Sequence, residues 1–283
     1  MEQLGITQTF SLGGTTPINR LGFGALRITG SAGYGPPDNT EAMIRLLKKL
    51  PELGINFIDT ADSYGPYISE QLIAEALHPY PDDMVIATKV GYERPGGTWK
   101  INNRPDRMKK ALEDSLNRLK VEQIDLYQLH RIDPKIPFED QIGFMKEAQE
   151  EGLIKHIGLS EVNTHEIKQA LEIVPIASIQ NKYSYRDRKS ENVLDYTKSQ
   201  DIAFIPWYPL DAGHVVGKAK LKVIAEKNDL SLHQVSLAWL LHYAQNIIAI
   251  PGTSNLEHLI ENSRIGENLL SNEDMEFLNS TKN

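Results

Sequence analysis

Four side chains able to move or orient a proton stand at or just beyond the ends of three successive apolar runs in this chain. Asp59 follows Asn-Phe-Ile in the run 56–61, and Tyr64 comes five residues later, before Gly65-Pro66. Lys89 ends Met-Val-Ile-Ala-Thr-Lys (84–89), and His130 ends Ile-Asp-Leu-Tyr-Gln-Leu-His (124–130). A phenol titrates near ~10, so Tyr64 needs a cation beside it to serve as an acid at neutral pH. Lys89 is that cation, Asp59 holds it charged, and His130 donates a hydrogen bond to a substrate oxygen. Such a set suits reduction of a carbonyl to an alcohol, where hydride reaches carbon and a proton must reach oxygen. The residues themselves do not name the hydride donor. Singly each has a plainer role: a turn cap, a turn aromatic, a solvated strand end, a polar rim residue. Their corresponding positions along the chain are what set them apart.

The elements that must position them come in a regular order. Residues 7–12 and 17–21, around Gly13-Gly14, predict a β-hairpin that caps the main pattern. A short strand at 21–26 and a Gly/Pro-rich loop at 27–37 lead to a helix opened by Asn39-Thr40. Further strands are expected at 56–61, 84–90, 124–130, 154–160, 176–181, 202–207 and 246–251. Helices are expected near 69–77, 105–119, 137–151, 164–174, 190–199, 218–227, 231–243 and 255–263, with another starting at Ser271. Eight near-continuous apolar strands alternating with helices require a parallel sheet covered on both faces. A (β/α)₈ barrel over 1–283 as one domain fits best. The rival, an open doubly wound sheet, normally carries G-x-G-x-x-G after its first strand, and Gly22 and Gly24 are followed by Arg27 where the third glycine would stand. In a barrel the C-terminal strand ends share one face, so Asp59, Lys89 and His130 converge there with Tyr64.

Composition narrows the function classes. The chain has 283 residues, 40% hydrophobic and 24% charged, with no apolar run long enough to cross a bilayer. It has no cysteine, which excludes disulfides, thiolate catalysis and cysteine-ligated metal. A net charge of −8 without a basic cluster argues against nucleic acid or an anionic membrane as partner. The N-terminus lacks the basic and apolar regions of a signal peptide, which points to the cytoplasm.

Asp59-Thr-Ala-x-x-Tyr64-Gly, Thr88-Lys89, Leu129-His130, Gly158-Leu-Ser160, Ile179-Gln180-Asn181 and Ile250-Pro-Gly-Thr253 with Glu261-Asn262 together resemble an aldo-keto reductase across nearly the whole chain. The pattern is most similar to bacterial branches that include pyridoxal reductases. The resemblance implies a hairpin-capped (β/α)₈ barrel that binds NADPH, or NADH, in extended form and reduces a small carbonyl substrate. It implies the tetrad Asp59, Tyr64, Lys89 and His130, with the tyrosine as general acid. Ser160 and Gln180 match residues that hold the nicotinamide carboxamide, and Trp207 matches an aromatic stacked on the ring. Gly24, Ala25 and Leu26 match first-strand contacts, and Leu210 to Gly213 match the loop near the pyrophosphate. Gly252, Thr253, Ser254 and His258 fall in the segment that meets the adenosine phosphate, and Glu261 and Asn262 match the pair that binds adenine.

Departures bear on function. Glu161 replaces an asparagine that usually follows the serine, with Asn163 nearby as a substitute. Gly252 and His258 stand where many members have lysine and arginine for the 2′-phosphate, which leaves His258 as the expected cation and a modest NADPH preference. Arg131-Ile-Asp133 replaces a common Trp-Pro. Tyr34, Tyr67, Tyr92, Trp99 and Arg131 lie on loops expected at the pocket mouth. Tyr185 and Lys189 have the spacing of a short-chain dehydrogenase pair but no nucleotide loop before them, and His233 to His242 reads as helix surface. Two other functions stay open on the sequence. One is a Schiff-base aldolase using Lys89, and the other a non-catalytic cofactor-binding sensor or subunit.

Overall fold

The computed structural model describes residues 9–211, 219–265 and 270–280. Strands β1 (Thr9–Leu12) and β2 (Thr16–Asn19) pair antiparallel across the Gly13-Gly14 turn and form the expected hairpin. Then come β3 (Phe23–Gly24), β4 (Phe57–Asp59) and β5 (Val85–Val90). The loop after β5 carries a small antiparallel pair, β6 (Tyr92–Glu93) and β7 (Lys100–Ile101), which the sequence pattern did not suggest. β8 (Ile124–Leu129), β9 (Ile154–Ser160), β10 (Ser178–Gln180) and β11 (Ala203–Phe204) complete a parallel sheet ordered β3-β4-β5-β8-β9-β10-β11.

The eighth run, 246–251, is not a regular strand, yet it closes the sheet. On one side Phe204 N donates to Asn246 O (2.8 Å) and Ile248 N to Phe204 O (2.9 Å). On the other, Ala249 N donates to Arg20 O and Gly22 N to Ala249 O, both at 2.8 Å. Pro251 has no N–H for the next rung, but its carbonyl still accepts from Gly24 N at 3.3 Å. Bonds on both flanks make the sheet a (β/α)₈ barrel rather than the open doubly wound alternative. The predicted strand at 21–26 is shorter than expected, because Ala25–Ile28 turn into a 3₁₀ helix.

The helices are α1 (Thr40–Lys48), α2 (Ile68–Leu77), α3 (Pro105–Leu119), α4 (Phe138–Glu150) and α5 (Thr164–Ile173). They continue with α6 (Glu191–Ser199), α7 (Ala219–Asn228), α8 (Leu232–Tyr243), α9 (Leu256–Ser263) and α10 (Asn272–Asn279). Polar caps fix the start of several of them: the side chains of Asn39, Asn163, Ser231, Asn255 and Ser271 each accept backbone N–H bonds from the first turn.

Two apolar layers result from the period-two geometry of the strands. The larger lies between strands and helices, and the smaller fills the barrel with Phe57, Val85, Ala87, Leu126, Ala203, Ile205, Ile248 and Ile250. Leu12 and Ile18 from the hairpin belong to that inner layer, so β1 and β2 plug the end of the barrel where the strands begin. Burying each side chain contributes about 1.5–3 kcal/mol. The plug seats closely. Gly13 has φ +56°, and a Cβ there would lie 2.4 Å from His156 Nδ1.

Candidate active site

Continuing the inner positions toward the strands' C-terminal ends replaces apolar side chains with polar ones. Two residues beyond Phe57 comes Asp59, two beyond Ala87 comes Lys89, and two beyond Leu126 comes Gln128. Lys89 is fully buried, and its Nζ donates to Asp59 Oδ2 (2.6 Å), Thr60 O (2.8 Å) and Tyr64 OH (3.3 Å). Asp59 Oδ1 accepts from Gln128 Nε2 (2.9 Å) and Gln180 Nε2 (2.8 Å). Gln128 went unnoticed in the sequence, where it is one polar residue inside an apolar run. Its signal was its place two residues before His130 on the same strand face.

Electrostatics sort these groups. Burial works against the Lys89 charge, but Asp59 and Tyr64 outweigh it and hold the ammonium above its usual range. Burial pushes the Tyr64 phenol up, and this prevails over the lowering by Lys89. Lys89 thus acts in the expected direction without bringing the phenol below its ordinary value, and Tyr64 is fully protonated at neutral pH. His130 is pulled well below the usual imidazole range, by burial first and then by Lys89, Arg131 and Arg107. It is a neutral ring whose Nδ1 has no hydrogen-bond partner among the described residues. Tyr92, Tyr64 and Trp99 meet that ring edge to face at 4.8, 6.0 and 6.1 Å between centroids.

A cavity of about 780 Å³ opens over this cluster. Asp59, Tyr64 and His130 line it, and Lys89 lies beneath them. Ser160, Gln180 and Trp207 line it too, with Gly24, Ala25, Leu26 and Leu210. So do Gly252, Thr253, Ser254, His258, Glu261 and Asn262. Gly213 lies outside the described residues. Of the five loop residues expected at the mouth, Tyr92, Trp99 and Arg131 line the cavity. Tyr34 and Tyr67 do not: Tyr34 packs on the Arg94 guanidinium at 5.4 Å and Tyr67 on that of Arg118 at 4.5 Å.

Several side chains depart from expectation. His233, read as helix surface, lines the cavity; helical periodicity reports which face meets the barrel, not which residue reaches its mouth. Arg27 lines it as well, so His258 is not the sole cation on this side. Arg27 passes over Gly252, where a Cβ would lie 3.4 Å from its Cγ. Asn163 does not substitute for the missing asparagine, because its Oδ1 caps α5 by accepting from His165 N (2.8 Å) and Glu166 N (3.1 Å). Glu161 Oε1 accepts from Lys182 N (2.7 Å) and Trp207 Nε1 (2.6 Å), so it anchors the indole. At the start of α9, Asn255 Oδ1 already takes the N–H of Glu257 (2.7 Å) and of His258 (3.4 Å). An anion there must rely on side chains rather than on those amides. Tyr185 is tied to Leu278 O at 3.0 Å, and neither it nor Lys189 lines the cavity.

Residues 20–283 match a family model described as the aldo/keto reductase family. The chain is 46% identical over 262 residues to an uncharacterized oxidoreductase of Schizosaccharomyces pombe, covering 92% of this chain and 85% of that protein. It is 37% identical over 263 residues to pyridoxine 4-dehydrogenase of Escherichia coli, covering 90% and 92%. Among solved structures it is similar to a thermostable aldo-keto reductase in complex with the inhibitor epalrestat. That likeness has a TM-score of 0.87 at 31% identity, over 96% of this chain and 98% of the other.

Proposed function

The chain belongs to the aldo/keto reductase family, which its residues 20–283 match, and from that premise we propose that it reduces a small aldehyde or ketone to the alcohol with NADPH, Tyr64 being the general acid. The observation that carries this is the fully buried Lys89 bridging Asp59 at 2.6 Å and the Tyr64 hydroxyl at 3.3 Å on the cavity floor.

The residues present fit a dinucleotide. One cavity takes in the Tyr64 cluster and the start of α9, and its wall offers two cationic or titratable side chains, Arg27 and His258, with the hydroxyls of Thr253 and Ser254 for phosphates. Glu161 fixes the Trp207 edge by a 2.6 Å bond, leaving the ring to stack on nicotinamide. Ser160 and Gln180 would hold the carboxamide, Gly24, Ala25, Leu26 and Leu210 would border the chain of the ligand, and Glu261 and Asn262 would receive adenine, all of them lining the same cavity. Bound there, NADPH supplies the hydride.

The protein manages the proton. His130, a neutral imidazole in an aromatic surround, hydrogen-bonds the carbonyl oxygen and orients it toward Tyr64. As charge builds on that oxygen, Tyr64 OH gives up its proton and the Lys89 ammonium stabilises the phenolate left behind. Asp59, its second oxygen held by Gln128 and Gln180, keeps Lys89 charged and in place. The same geometry counts against a Schiff-base aldolase, because Lys89 is held as an ammonium by Asp59 and Tyr64 and offers no free amine.

The test is NADPH absorbance during incubation with a panel of aldehydes. Pyridoxal belongs in it because a relative at 37% identity is named pyridoxine 4-dehydrogenase. Turnover of pyridoxal or another aldehyde to its alcohol is expected. NADPH binding without consumption by any of them would favour a non-catalytic sensor or subunit.

A further inference from the structure

We propose that Arg131 selects the substrate, its guanidinium binding an anionic oxygen on an aromatic carbonyl compound, so that aromatic aldehyde acids are reduced in preference to their neutral counterparts. This rests on the reductase reading above and deepens it. Arg131 lines the cavity beside Tyr64 and His130. Its Nη1 donates to His130 O (2.6 Å) and Ser160 Oγ (3.1 Å), neither of them an anion. No carboxylate of the described residues forms an ion pair with it; Asp133, two residues on, instead accepts from Lys135 N (3.0 Å) and Asn103 N (3.4 Å). A guanidinium has five N–H donors, so Nε and Nη2 remain for a ligand in the cavity.

The setting is rigid. Asn103, fully buried, donates to Arg131 O at 2.7 Å and to Gln141 Oε1 at 2.6 Å, which fixes the loop from which Arg131 projects. The Arg131 guanidinium lies 5.6 Å from the centre of the Tyr92 ring. Arg107 in turn holds Tyr92 through its carbonyl at 2.6 Å. Tyr64, Tyr92, Trp99 and His130 make the adjoining walls aromatic, which favours a flat ring over an aliphatic chain. A half-buried cation without a counter-ion is costly, and an anionic substituent arriving with the substrate offsets that cost.

The experiment measures kcat and KM with NADPH for 3- and 4-carboxybenzaldehyde and for their methyl esters, in wild type, Arg131→Met and Arg131→Lys. Wild type is expected to favour an acid over its ester by about ten- to a hundredfold in kcat/KM, mainly through KM. Arg131→Met should bring that ratio to about one, and Arg131→Lys should restore part of it, since lysine keeps the charge but loses the planar fork. A residue that only supported Ser160 would slow acids and esters alike and leave the ratio unchanged, which overturns the proposal. If Arg131→Met does not fold, the wild-type ratio and the lysine variant decide, and a wild-type ratio near one overturns it. Reduction of esters and acids without preference removes the role of Arg131 and leaves the reductase reading standing. No NADPH oxidation with any aldehyde removes both.

Discussion

Gly158 faces Gln128 across the inside of the barrel, where a Cβ would lie 2.3 Å from Ser178 Oγ and 2.8 Å from Gln128 Cγ. Gln128 is one of the two amides holding Asp59, so the missing side chain at 158 reaches the Lys89 ammonium through two hydrogen bonds. Gly158→Ala should cost about 1–3 kcal/mol of stability by overpacking and lower kcat at least about tenfold by displacing Asp59. Urea denaturation and steady-state kinetics check this, and a variant with wild-type kcat would contradict the positioning. In the sequence Gly158 was visible only as part of a motif. Asp59, Lys89 and His130 were legible because each ends an apolar run, whereas the need for glycine at 158 depends on which side chains face it across neighbouring strands.

At the scale of elements, the hairpin plug and the β4–α2 loop pull in opposite directions with pH. His156 receives the plug through Thr16 Oγ1 at 2.8 Å, and burial, then Lys155, hold it below the usual imidazole range. A histidine whose folded pKa is depressed contributes stability above its unfolded value near ~6.5 and loses it as pH falls below that. Asp62, in the loop after β4, is buried against Arg107 at 2.8 Å with its other oxygen unpartnered among the described residues, and burial raises its pKa from 3.8 to about 7. Its protonated form is the one the fold favours, so this contribution falls as pH rises through that window and is flat above it. Thermal melts from pH 4 to 8 separate the two by difference. His156→Asn should lose less stability than wild type on acidification below about 6.5, and Asp62→Asn should lose less on the rise toward about 7. Variants whose melting curves track wild type at every pH would contradict both assignments. The hairpin was legible from Gly13-Gly14 and the helices from their caps. The β6–β7 pair was not, since two-residue strands carry no period, and the apolar run 246–251 did not reveal that it closes the barrel through isolated bridges to its two neighbours rather than as a regular strand.

For the molecule as a whole, a net charge of −8 surrounds a cavity whose wall carries the Arg27 and Arg131 guanidiniums together with the Asp59 and Glu261 carboxylates. Anionic groups of a ligand are received locally, at those two guanidiniums, rather than by the field of the whole surface. Because Arg27 stays charged at any working pH, the NADPH preference should persist at pH 8 at roughly ten- to a hundredfold in kcat/KM over NADH, and Arg27→Ala should reduce it more than His258→Ala does. Equal use of the two cofactors by wild type would contradict this view of the adenosine end. Among the described residues no helix is long and apolar enough to cross a membrane. The barrel order was legible because alternation needs only local periodicity, while the counter-ions of the cavity wall depend on which loops meet across its mouth. Whether Tyr64 is the proton donor is tested by comparing aldehyde reduction and NADPH binding in wild type and Tyr64→Phe. A proton donor acts in the transition state, so kcat should fall by about 10² to 10⁴ with NADPH affinity nearly unchanged, and a phenylalanine variant that reduces aldehydes at the wild-type rate would contradict the account.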